Sequence, residues 1–175
     1  MKINRSGFTL VELTLVMSVM IILAIITVTS YNGIQGRNRD TKRRADIANI
    51  TKALDLYYND NGSYPIASGT TSIINANWYT SGDSSWTAFR TAMTGTIDSL
   101  PVDPRNSAGD PSAAGNYGYA YFTGGYCGKA AGQWYLLIYR METIAKERFT
   151  DGLCTVNPLG DSYYTGGNSY YRVVR

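Results

Sequence analysis

Few residues in this chain could do chemistry, and the most conspicuous is a carboxylate in oily company. Glu12 is the one charged side chain in GFTLVELTLVMSVMIILAIITVTSY, the stretch from Gly7 to Tyr31. The chain holds no His, the side chain that most often serves as general base or metal ligand near neutral pH. No nucleophile elbow, phosphate-binding glycine loop or metal-type cysteine spacing occurs. No catalytic residue or metal ligand is therefore assigned, and the chain does not read as an enzyme. Two chemistries remain. Glu12 can be tolerated at a helix start or neutralised by a cation, because a bare carboxylate within lipid is costly. Cys127 and Cys154 are the two cysteines. Their even count suits one disulfide in an exported chain, and two small core residues in a reducing compartment.

The element that carries Glu12 is a helix. From Leu13 to Tyr31 no side chain is charged, and about nineteen helical residues at ~1.5 Å each reach roughly 28 Å, near the thickness of a hydrocarbon core. The run is apolar on every face, unlike a surface helix of a soluble domain. A secretory signal would carry its small-residue cut site after the oily run. Here the order is reversed, with a short cationic leader, MKINRSG, ahead of it. A cut between Gly7 and Phe8 would leave the whole helix on the mature chain, and a glycine there keeps a side chain out of the protease.

GFTLVE followed by an apolar run resembles the N-terminal signal of type IV prepilins and type II secretion pseudopilins. The resemblance covers about twenty-five residues. It implies that a membrane-embedded prepilin peptidase cuts after Gly7 and N-methylates Phe8. It places Glu12 at the family's assembly glutamate, where it would pair with the amine of Phe8 on a neighbouring copy and set the axial register of a filament. The implied fold is α+β, the type IV pilin fold: a long N-terminal helix packed on a small antiparallel sheet. The implied organisation is a cleaved leader at 1–7, a transmembrane and polymerisation helix at 8–31, an extended amphipathic helix at 32–62, and an exported head at 63–175. The implied partners are copies of the chain in a helical filament, prepilin peptidase, an inner-membrane assembly platform with its ATPase motor, minor pilins, and membrane lipid before assembly. The chain would be a single-pass cytoplasmic membrane protein first and part of an extracellular pilus afterwards. The leading expectation is a type IV pilus subunit for twitching motility, adhesion or DNA uptake. The alternative is a pseudopilin of type II secretion, or a minor or competence pilin. A membrane-anchored binding module that never polymerises is a reading from another class.

One feature opposes the implied export. Arg37, Arg39, Lys42, Arg43 and Arg44 follow the oily run, and the positive-inside rule would hold that end in the cytoplasm. The run reads as a solvated helix face, or as a patch meeting lipid headgroups before assembly and Asp40 or Asp46 of neighbouring copies after it.

Gly33 and Gly36 are expected to interrupt the helix, each weakening it by about 1 kcal/mol relative to Ala, and to mark a bend or a stretch that melts on packing. Ile47, Ile50, Leu54 and Tyr57 then fall on one helical face that should pack on the sheet. Asn61-Gly62 should end the helix and Pro65 prevent its restart. ALDLYYNDNGSYP, from Ala53 to Pro65, resembles the helix end of major pseudopilins and related pilins.

From Ile66 to Pro111 the chain reads as loop apart from a short helix over Trp86–Met93. SLPVDPRNSAGDP, from Ser99 to Pro111, resembles in part the LP-x-DP turn of the pseudopilins, with Arg105, Asn106 and Ser107 replacing the usual WG-x-P. A nearby loop in some relatives binds calcium. Asp103, Asn106 and Asp110 offer oxygen ligands but no EF-hand spacing, so no cofactor is assigned. YGYAYF, QWYLLIYRME and SYYRVVR read as three strands, and their tyrosines read as half-buried strand residues or as a stacking surface. By resemblance, a Cys127–Cys154 bridge would bound a surface-variable region at Gly128–Leu153.

Overall fold

The structure is a computed structural model. It describes residues 7–27, 33–67, 72–74, 77–111, 113, 115–125 and 128–143, together with the backbone of 28–32 and 170–174. Two compact units emerge, Met1–Asn38 and Arg39–Arg175.

Helix α1 spans Leu10–Asn61. Gly33 and Gly36, expected to interrupt it, lie inside its helical hydrogen bonding. In the first unit the described side chains of α1 from Leu10 to Thr27 are exposed, and that stretch is long and apolar enough to cross a membrane. In the second unit the expected stripe is the buried one: Ile47, Ile50, Ala53 and Leu54 are covered, and Tyr57 packs beside them. The helix stops at the expected place. Gly62 takes φ +70°, which an L side chain resists, and its N–H donates to the Tyr58 carbonyl at 2.8 Å.

Strands β1 (Trp78–Thr80), β2 (Ala120–Phe122), β3 (Leu136–Arg140) and β4 (Tyr170–Val174) form an antiparallel sheet in the order β1-β2-β3-β4. The register sets Trp78 opposite Phe122, Ala120 opposite Ile138 and Leu136 opposite Val174. Side chains alternate between two faces. Tyr79, Tyr121 and Leu137 join Ile50 and Leu54 of α1 in the main core. Trp78, Ala120, Phe122, Leu136 and Ile138 form a second cluster with Trp134. The architecture is α+β, as expected.

Helix α2 (Ser85–Ala92) matches the expected short helix within a residue at each end. Phe89 is fully buried and stacks on Tyr79 at 4.9 Å and Tyr121 at 4.5 Å between ring centroids. The Nε1–H of Trp86 donates to the Pro101 carbonyl at 3.0 Å. β1 corrects the reading of its region as loop. It is a three-residue edge strand, and its outer flank is occupied locally: the Thr80 N–H donates to Oγ of Ser85 at 2.8 Å. The strand expected over 117–122 is shorter, beginning at Ala120, because the preceding backbone is engaged elsewhere. Tyr117 exchanges bonds with Ser107, and the Tyr119 N–H donates to Oγ of Ser81. Gly118 fits there because a Cβ would meet Pro111 and Ser81 at 3.2 Å. The tyrosines of this strand are core residues rather than a stacking surface: Tyr119 and Tyr121 are 0% exposed.

Leu54 is 0% exposed where helix meets sheet, so Leu54→Ala should destabilise the second unit by about 2–5 kcal/mol. Denaturant titration of the detergent-solubilised chain, followed by tryptophan fluorescence, measures it.

Candidate functional site

The N-terminal site begins with an unexpected partner for Glu12. α1 starts at Leu10, which makes Thr9 its N-cap and Glu12 the third helical residue. The Thr9 hydroxyl accepts the Glu12 N–H at 3.2 Å, while Oε2 of Glu12 accepts both the N–H and the hydroxyl of Thr9 at 2.8 Å. This is a capping box: two orphan backbone donors are satisfied reciprocally. The carboxylate also lies at the positive end of the helix dipole. Gly7 and Phe8 precede the helix, exposed and outside its hydrogen bonding, with Phe8 87% exposed. Among the described residues of one chain, Glu12 bonds to Thr9, not Phe8.

Further along, between Leu13 and Thr27, the hydroxyl side chains are satisfied by the helix itself. The hydroxyls of Thr14, Ser18 and Thr27 donate to the carbonyls of Val11, Leu15 and Leu23 at 3.0, 2.8 and 2.8 Å. Such back-bonding lets a hydroxyl enter an apolar medium without an unpaired donor.

The second site corrects the reading of the basic run as a solvated face at two positions, Arg43 and the half-buried Arg39; Arg37, Lys42 and Arg44 are exposed as that reading expects. Arg43 is 0% exposed. Its Nε and Nη2 donate to the two oxygens of Asp103 at 2.6 and 3.0 Å. Its Nη1 donates to Asp40 at 2.8 Å and lies 2.7 Å from Oε1 of Glu142. Arg39 binds Glu142 through Nε and Nη2 at 2.7 and 2.6 Å. Arg105 stacks on the Tyr117 ring at 4.3 Å, and Arg43 lies over the same ring at 4.8 Å. Three guanidiniums thus meet three carboxylates drawn from α1, the 103–105 turn and the end of β3. Lys42 pairs with Asp46, which also accepts the Tyr119 hydroxyl at 2.9 Å. Asp40 and Asp46, expected to reach other copies, are buried and engaged within the chain.

The remaining valences of Asp40 and Asp103 go mainly to backbone. Asp40 accepts the N–H groups of Glu142 and Thr143 at 2.8 Å each and the Thr143 hydroxyl at 2.7 Å. Asp103 accepts the Arg105 N–H at 2.8 Å and the Asn106 N–H at 3.3 Å. Burial works to raise the Asp40 carboxyl, but the bonds from Glu142, Thr143 and Arg43 outweigh it and hold the group below its ordinary value. The Arg39 bond, aided by Arg43, holds Glu142 low against its burial. Burial opposes the charge on Arg43, yet its carboxylates prevail and keep it protonated. Burial and the neighbouring Asp46 push the Tyr119 hydroxyl upward, so it stays a donor.

The structure gives Asp103 to Arg43, and it closes Asn106 onto Ser81: Ser81 Oγ donates to Oδ1 at 2.7 Å and Nδ2 donates to the Ser81 carbonyl at 2.9 Å. Both side chains are thus engaged by protein groups, and among the described residues no acidic, cysteine or histidine group forms a metal cluster. Cys127 and Cys154 lie outside the described residues, as does the part of Gly128–Leu153 beyond 143.

Two features were missed from sequence. Asp40 and Arg43 continue the buried stripe of Ile47, Ile50 and Leu54 at three- and four-residue steps, so position marked them as inward-facing although their charge suggested solvent. The T-x-x-E spacing of Thr9 and Glu12 was the signal for the capping box.

Two curated relatives are similar to the chain, both described as type II secretion system core protein G. The protein from Pseudomonas aeruginosa is 30% identical over 102 residues, spanning 58% of this chain and 68% of that protein. The one from Aeromonas hydrophila is 38% identical over 64 residues, 37% of this chain. That match spans 45% of the Aeromonas protein's length. No family model and no solved structure matches the chain.

Removing one member of a buried charge cluster leaves the others uncompensated. Arg43→Met should therefore cost about 3–5 kcal/mol of stability in denaturant titrations. Asp40 and Glu142 titrate lower folded than unfolded. Their stabilisation is complete above the ordinary carboxylate range and is lost as pH falls through the lowered values. Thermal midpoints measured against pH should fall on that acid side, and less steeply in an Asp40→Asn/Glu142→Gln double variant.

Proposed function

The chain belongs to the type IV pilin and type II secretion pseudopilin family, and we propose that it is a structural, non-catalytic subunit that polymerises through its apolar N-terminal helix. The carrying observation is the exposure of that helix: from Leu10 to Thr27 the chain buries none of its apolar side chains against itself. Such a surface needs lipid before assembly and copies of itself afterwards. Prepilin peptidase cuts between Gly7 and Phe8 and methylates Phe8. An inner-membrane platform and its ATPase then lift subunits from the membrane into a helical filament that also contains minor pilins. Glu12 leaves Thr9 and takes the Phe8 amine of a neighbour, which rewards one axial register.

The filament we favour is the pseudopilus of a type II secretion system, since both relatives bear that system's name. A second reading, a type IV pilus subunit exposed at the cell surface, rests on a departure from the pseudopilin turn. Arg105-Asn106-Ser107 follow Asp103-Pro104 in place of WG-x-P, and Asn106 takes φ +36° to reach Ser81. Twitching motility, adhesion or DNA uptake, or a minor-pilin role, would belong to that reading, with a Cys127–Cys154 disulfide in the exported head.

Mass spectrometry of the mature protein should find an N-methylated Phe8 as first residue; an intact Met1 in cells with active peptidase would refute the processing. Glu12→Ala should abolish filament assembly while the subunit still accumulates in the membrane. Assembly at the normal rate would remove the register role. Deleting the gene should block exoprotein release if the filament is a pseudopilus, whereas loss of surface fibres with secretion intact would favour the pilus.

A further inference from the structure

Asn61 and Gly62 end α1 in an exposed turn. An Asn followed by Gly is the dipeptide most open to spontaneous deamidation, because glycine leaves its own nitrogen unshielded and its backbone free to turn. The Gly62 nitrogen loses its proton to solvent base and attacks Cγ of Asn61. The Cγ–Nδ2 bond breaks, ammonia leaves, and a succinimide forms. Water then opens either carbonyl of the ring to give aspartate or isoaspartate. No oxidant, reductant or enzyme is needed.

In this fold both reacting groups are already held. The Gly62 N–H donates to the Tyr58 carbonyl at 2.8 Å, and Nδ2 of Asn61 donates to the Tyr57 carbonyl at 2.9 Å. Attack requires the nitrogen to give up one bond and the side chain to swing away from the other. The cap is tethered in turn. Nε2 of Gln133 donates to the Gly62 carbonyl at 3.3 Å, the Tyr58 hydroxyl donates to Oε1 of Gln133 at 3.1 Å, and the Tyr64 N–H donates to the Gly132 carbonyl at 2.7 Å. We propose that Asn61 is a latent deamidation site that the C-cap of α1 holds closed, and that opens when the last helical turn frays.

The product would weaken what protected it. A carboxylate at position 61 faces the negative end of the helix dipole. Isoaspartate also inserts a methylene into the backbone before Gly62, displacing the carbonyl that Gln133 holds. Modification at one exposed amide would thus loosen the end of α1 from the loop that leads into β3.

The full chain in detergent is incubated in mildly alkaline buffer, folded and in denaturant, and peptide mapping follows the gain of one mass unit and the isoaspartate at position 61. The folded chain should react at least about tenfold more slowly, the ratio reporting how seldom the last turn opens. Gln133→Ala removes the tether without altering the dipeptide, and should speed the folded reaction several-fold while leaving the denatured rate unchanged. Equal rates in folded and denatured chain, or a folded rate indifferent to Gln133→Ala, would overturn the proposal.

Discussion

A guanidinium sealed from water must be neutralised where it stands. Arg43 is in that position, and much of the second unit is arranged around it. Asp103 reaches it from 60 residues away in sequence, Glu142 from the end of β3, and Asp40 from one turn back on its own helix. Each carboxylate spends its remaining oxygen valences on nearby groups. The cluster therefore fixes two chain segments to α1 as well as two charges to each other. Replacing such a cluster whole by apolar packing is often neutral or stabilising, whereas removing one member is costly; beyond that cost, the ion pairs fix orientation. The bidentate grip on Asp103 fixes the turn that carries Pro101, whose carbonyl holds Trp86, and through Trp86 the seat of α2.

The same cluster bears on the conflict between the basic run and an exported head. Arg39, Lys42 and Arg43 read as free positive charge in sequence, but in the folded chain each faces a carboxylate. A topology rule that counts cations beside a membrane helix describes the chain as it is inserted, before distant acids such as Asp103 and Glu142 have folded onto it.

Legibility in sequence followed the range of the interactions. The apolar stretch, the stripe of Ile47, Ile50 and Leu54, and the stop at Asn61-Gly62 are local patterns, and each could be read in order along the chain. β2 starts later than its alternating tyrosines imply, because the bonds that divert Tyr117 and Tyr119 come from Ser107 and Ser81. β1 has three residues, too few to show a period of two, so its sequence is indistinguishable from loop. The charge cluster is not a local pattern, because two of its three acids, Asp103 and Glu142, lie far along the chain. Glu12 lies in the first helical turn, as its place in the sequence implies, and the T-x-x-E spacing that gives it Thr9 as a partner within the chain is equally local.

The clipped outer strand has a bearing on how such a chain can be safely stockpiled. A sheet border with vacant amide and carbonyl groups is an invitation to unrelated backbones. At β1 the border lasts three residues, and a serine hydroxyl from the next helix already sits on one of its amides. Along that flank, accretion by strand addition finds little to grip. A molecule with so adhesive an oily end gains from this asymmetry: stickiness is concentrated in α1, and the folded head is kept inert along that border.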